Sequence, residues 1–151
     1  MKNIITVIVA SIILASTANA QTSDSLKINA GIVIAPQGGI SLSEPSKGFQ
    51  AFMPVLAVVS LTKKNTTFVP MYNMVNNSAG ILVAQDFTPK FGGYVIAMKS
   101  VLTKGGYTGV ALTTPVANGR ANGFVEVGTS WESFSPSIYV GVIIPFKFKV
   151  K

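Results

Sequence analysis

Apolar and polar positions alternate through most of the chain. Between 26 and 34 the even positions Leu26, Ile28, Ala30, Ile32 and Ile34 are apolar, and Lys27, Asn29, Gly31 and Val33 lie between them. Toward the C-terminus, Ile138, Val140, Val142, Ile144, Phe146, Phe148 and Val150 alternate with Tyr139, Gly141, Ile143, Pro145, Lys147, Lys149 and Lys151. A period of two is that of a β-strand with one greasy face. A helix would scatter these Lys and Phe residues around its whole circumference. Six further strands are expected, at roughly 50–61, 66–75, 79–86, 93–102, 107–114 and 121–131. Turn-forming residues separate them, among them Asn76-Asn77-Ser78, Lys104-Gly105-Gly106 and Asn118-Gly119-Arg120. The stretch 36–48, with Gly38-Gly39 and Pro45, reads as the longest connection. No helix start is followed by a 3.6-residue pattern.

The first twenty residues read differently. Met1-Lys2-Asn3 is a short basic start, Ile4 to Leu14 is an apolar run, and Ala18-Asn19-Ala20 is a small-residue cleavage signature. This is the layout of a secretory signal peptide cut after Ala20. The run is too short to span a membrane as a helix. The expected organisation is therefore a signal peptide, 1–20, and one β domain, 21–151.

Eight strands in about 130 residues is the arithmetic of a minimal up-and-down antiparallel β-barrel. An even strand number and strands of about ten residues suit a barrel that crosses a membrane at a tilt. Composition sharpens the picture. Charged residues are 11% of the chain, and there is no Cys and no His. Thiol chemistry, imidazole catalysis, and zinc sites built on Cys or His are excluded. The acidic residues Asp24, Glu44, Asp86 and Glu132 fall at strand ends or in loops, where solvated charge is the ordinary reading. No catalytic residue, cofactor site or metal site is assigned, and no enzyme activity is expected. The net charge is +7, but the Lys residues are dispersed. Contact with anionic lipid headgroups or lipopolysaccharide fits this better than nucleic acid.

Parity also nominates interior charges. Glu126 shares a face with Phe124, Gly128 and Ser130, opposite Val125 and Val127. Lys27, Lys99 and Lys147 lie away from the greasier face of their strands. In a membrane barrel all four would line the interior, which eight strands leave just wide enough for side chains to fill. The expectation is that Glu126 pairs with one or more of these lysines as a plug. Eight aromatics near strand ends (Phe87, Phe91, Tyr94, Tyr107, Trp131, Phe134, Tyr139 and Phe148) suggest interfacial girdles.

The last strand resembles the assembly signal of bacterial outer-membrane β-barrels. Tyr139, Gly141, Ile144 and Phe146 match its order of a polar residue, Gly two later, then hydrophobic and aromatic residues at alternate positions. The resemblance implies insertion by the outer-membrane assembly machinery of a Gram-negative bacterium. Barrel enzymes of that family rely on a His, which this chain lacks. Two features depart from the pattern. The chain ends Lys149-Val150-Lys151 rather than on an aromatic residue, and Pro54, Pro70 and Pro145 fall inside expected strands. Each proline removes a ladder donor, so bulges or shorter strands are expected there. The reading is a small outer-membrane barrel with a structural, adhesive or binding role, not an open pore. The alternative is a soluble periplasmic or extracellular barrel or sandwich that binds a hydrophobic ligand.

Overall fold

The computed structural model describes residues 25–148, with the side chains of Lys147 and Phe148 outside the description. Residues 1–24, and with them the signal-peptide reading, lie outside the described residues, as do 149–151. Ten strands follow in order: β1 (Lys27–Ile34), β2 (Gln37–Ser41), β3 (Gln50–Phe52), β4 (Val55–Lys63), β5 (Thr66–Asn73), β6 (Ser78–Thr88), β7 (Phe91–Ser100), β8 (Gly106–Val116), β9 (Ala121–Ser130) and β10 (Pro136–Phe148). They form a closed, eight-stranded, antiparallel barrel with up-and-down topology. Strands β1 and β2 are two halves of one stave. The first half pairs with β4 and the second with β3, in an unbroken register (Ile34↔Val55, then Gln37↔Phe52). Closure comes from β10, which pairs with β1 at Ala30↔Phe148 and with β2 at Ile138↔Ile40.

Side chains alternate between lumen and exterior. Asn29, Leu56, Met71, Leu82, Ile96 and Phe124 line the lumen, and their chain neighbours point out. One row of cross-strand partners runs around the outside as Ile28, Leu61, Phe68, Val83, Val95, Val110, Val127, Ile138 and Ile40. Every member is Ile, Leu, Phe or Val. Seven of them are exposed enough to stand out on the surface: Ile28, Phe68, Val83, Val95, Val110, Val127 and Ile40.

The same circuit measures the stagger. It leaves the first stave at Ile28 and returns to it at Ile40, twelve residues further along. Stagger, tilt and radius are linked in a closed barrel. With ~3.3 Å rise and ~4.8 Å strand spacing, this stagger implies a tilt of roughly 46° and a radius of about 9 Å. A stagger of eight, as in eight-stranded barrels with filled interiors, gives a radius of roughly 7.6 Å. The lumen is accordingly filled only in part: beside the packed cluster of Tyr94, Ala111 and Phe124 it holds a cavity of about 1360 Å³. The expectation of an interior closed by side chains rested on strand number alone and is corrected here.

The prolines sit where the ladder tolerates them. Pro54 falls in the gap between β3 and β4, where its carbonyl accepts from the Ala35 N–H at 3.1 Å. Pro36 interrupts the neighbouring stave beside it. Pro70 stays within β5 opposite Ile81, but pairing with β4 lapses at Val59 and Ser60. Its missing N–H is the one that would have served the Val59 carbonyl. Pro145 pairs with Val33 on β1, and its N faces the β9 side, where pairing has already ended at Ile143↔Asn122. The register shift among these strands lies between Asp86 and Thr88, not at a proline. The stretch 37–41, read as part of a loop, is a strand because Gly38 and Gly39 leave room for the Phe49 and Tyr139 rings.

The two rims differ. One carries Lys27, Phe148 and the short connections 64–65, 89–90 and 117–120. The other carries the longer connections 42–49, 74–77, 101–105 and 131–135. Lys27, Lys63, Lys64, Lys90 and Arg120 are all exposed at the first rim.

Candidate functional site

Glu126 is 5% exposed, and it lines the lumen as its parity predicts. Its rung runs from Tyr139 on β10 through Ala111 on β8 to Tyr94 on β7. The Tyr94 Oη donates to Glu126 Oε2 at 2.6 Å, and the Tyr107 Oη donates to Glu126 Oε1. Each carboxylate oxygen thus accepts from one phenol. Two glycines make room for the arrangement. Gly109 and Gly128 face each other across β8 and β9. The Tyr107 phenol lies where a Cβ on Gly128 would stand, and a Cβ on Gly109 would come within 3.0 Å of Glu126 Oε1. The neighbouring rings touch one another: Tyr107 and Tyr139 at 5.9 Å between centroids, Phe52 and Tyr139 at 5.4 Å, and Tyr94 and Phe124 at 6.2 Å. No buried polar side-chain atom among the described residues lacks a hydrogen-bond partner.

The expected lysine partners are not what holds Glu126. Lys27 belongs to the same slanted row but is exposed at the rim, beyond Ala84, Thr67 and Thr62. Lys99 is exposed on the outer face with Val95, because on β7 the bulkier apolar residues Ile96 and Met98 face the lumen. The greasier face of that strand points inward, so the parity argument placed Lys99 on the wrong side. Lys147 pairs through its backbone with Gly31, eight residues along β10 from the rung of Glu126. At ~3.3 Å per residue that is roughly 26 Å away along the strand. Among the described residues no Lys or Arg forms an ion pair with Glu126; the ion pair seen is Lys47 with Glu44, at 2.8 Å on the loop 42–49.

The assembly-signal positions divide between the faces. Tyr139 lines the lumen, and Gly141 fits against the Pro36 carbonyl and the Phe124 ring. Ile144 and Phe146 have the outward parity. Tyr94, Tyr107 and Tyr139, read as girdle aromatics, belong to the lumen instead. Phe87, Phe91, Trp131 and Phe134 are exposed near the rims. Two signals for the tyrosines were present in the sequence: Tyr94 shares parity with Ile96 and Met98, and glycines stand at 109 and 128.

Across the lumen Leu56 and Val58 on β4 and Val69 and Met71 on β5 face the cavity, while Leu82 and Ile96 pack against the Tyr94–Phe124 cluster. The site is thus a cavity of mixed apolar and polar lining in which Glu126 is the buried acid; Asp86, exposed near the first rim, also lines it. No described group of His, Cys, Asp or Glu is arranged to hold a metal ion, and no described helix is long and apolar enough to cross a membrane. Comparison with protein-family models, with curated proteins and with solved structures finds no match.

Proposed function

We propose that this protein is a small outer-membrane β-barrel whose lumen serves as a binding chamber. The observation that carries the reading is the exterior row from Ile28 to Ile40, apolar on every stave of the barrel. A water-soluble barrel would expose that face to water, and contiguous apolar surface of this extent marks contact with lipid or a partner. The described part of β10, thirteen residues long, rises roughly 40 Å along the strand, about 28 Å in height at the estimated tilt. That suffices for the ~25 Å apolar band of membrane barrels. Short turns at one rim and longer loops at the other match the asymmetry of such barrels. The basic rim suits anionic headgroups, and Ile144 and Phe146 suit an assembly signal read by the insertion machinery. A radius of about 9 Å, reduced further by side chains, encloses a chamber rather than the aqueous channel of 16–18-stranded porins. The apolar lumen also fits the soluble alternative, so the exterior is what separates the two.

The test uses the absence of native thiols. Val140→Cys and Ile143→Cys each carry one fluorophore, on opposite faces of β10. In bilayers with brominated acyl chains, the label at 140 is expected to be strongly quenched and the label at 143 far less. No quenching at either site would overturn the membrane reading.

A further inference from the structure

We infer that the lumen is built for an amphiphilic organic cation: a positively charged head seated at Glu126 and an apolar body laid along the wall of Leu56, Val58, Val69 and Met71. The inference rests on the proposed reading of a membrane barrel with a binding chamber; the brominated-lipid test reports on the membrane placement separately.

Three observations converge on it. First, Glu126 is buried, and both of its described partners are phenols, which hydrogen-bond its oxygens without bringing any positive charge. Burying the charge of a carboxylate with no cation beside it is costly in a weakly polar interior, and a bound cation would offset that cost. Second, the groups gathered around it are aromatic. Tyr94, Tyr107, Tyr139 and Phe124 form a chain of ring contacts and hydrogen bonds about the carboxylate. Ring faces are negative, so they reinforce the attraction for a cation rather than offset the acid. A carboxylate among aromatic rings is the composition that recognises ammonium groups. Third, Glu126 lines a cavity of about 1360 Å³ whose wall across the barrel includes Leu56, Val58, Val69 and Met71. That volume exceeds what a bare metal ion or a small inorganic cation needs, and an aliphatic wall offers such an ion nothing. An alkylammonium satisfies both halves of the chamber at once.

The experiment compares three ligands of equal chain length and different charge: octyltrimethylammonium, octanol and octanoate. Each is titrated calorimetrically into the protein in phosphatidylcholine nanodiscs, with empty nanodiscs as the blank. The cation is expected to bind at least about tenfold more tightly than octanol, and octanoate more weakly than either, a tenfold ratio being about 1.4 kcal/mol. Glu126→Gln keeps the shape and an acceptor for the phenols; it should remove the preference while leaving octanol within about twofold. The wild-type comparison of ligands stands by itself if that variant fails to fold. Equal binding of all three, abolished by the lumen-filling Leu82→Trp, would keep the chamber but overturn the cation. So would a preference for octanol or octanoate. No binding above empty nanodiscs to any of the three would overturn the chamber and the cation together.

Discussion

Glu126 takes one hydrogen bond on each carboxylate oxygen, so deleting either phenol oxygen leaves a buried acceptor bare. Tyr94→Phe is expected to lower stability by about 1.5–3 kcal/mol, the range for hydrogen bonds to charged groups. Measured by urea unfolding, that loss should shrink to a few tenths of a kcal/mol in a Glu126→Leu background, where no charge remains to be served. An unchanged loss there would mean that the Tyr94 hydroxyl acts through a partner other than Glu126. Gly128→Ala acts on the same cluster from outside it. The new Cβ occupies the position of the Tyr107 phenol, and overpacking of this kind costs about 1–3 kcal/mol. Much of this cluster was legible one residue at a time. The alternation through 121–131 placed Glu126 inside, but its partners were assigned to the wrong residues. Tyr94 is 32 residues away along the chain, and only the pairing of β7, β8 and β9 brings it to the carboxylate. Nothing local to Tyr94 carries that information.

At the scale of the strands, alternation located the staves to within a few residues, since each outward row must be continuously apolar. It failed where glycine replaced the pattern. Gly38 and Gly39 resemble a turn, yet they lie in β2, the half of the first stave that runs between β10 and β3. The prolines give a direct test of the ladder. Pro70→Val supplies an N–H opposite the Val59 carbonyl, and Pro145→Val supplies one that faces past the start of β9. Hydrogen exchange by NMR should find the new amide at 70 protected to nearly the extent of its neighbours, and the one at 145 exchanging freely. Similar protection at both would show that the direction assigned to the Pro145 N is wrong.

For the whole molecule, the decisive quantity was the stagger of twelve residues, which no single segment encodes. Strand number was readable from the sequence; register was not, and register sets whether an eight-stranded interior is solid or hollow. A closed barrel satisfies its backbone groups internally and resists detergent. The unboiled protein is therefore expected to migrate differently from the boiled protein in SDS gels, and identical migration would count against a membrane barrel. The exported form should begin at Gln21 by mass spectrometry, whereas an intact Met1 form as the main envelope species would refute cleavage after Ala20.

Closure of the barrel by β10 has a kinetic consequence. Every other seam joins staves that follow one another along the chain, and each can form as a local hairpin. The seam between β10 and the first stave joins Ala30 to Phe148, and so it must gather the ends of more than a hundred residues. Loop-closure entropy loads the search onto this one contact, and it should form last. Because Lys27 and Phe148 stand on the same rim, a short linker could join those strands and the chain could be reopened at the turn 89–90. Such a circular permutant would keep every rung of the barrel yet make the β6–β7 seam the slow one.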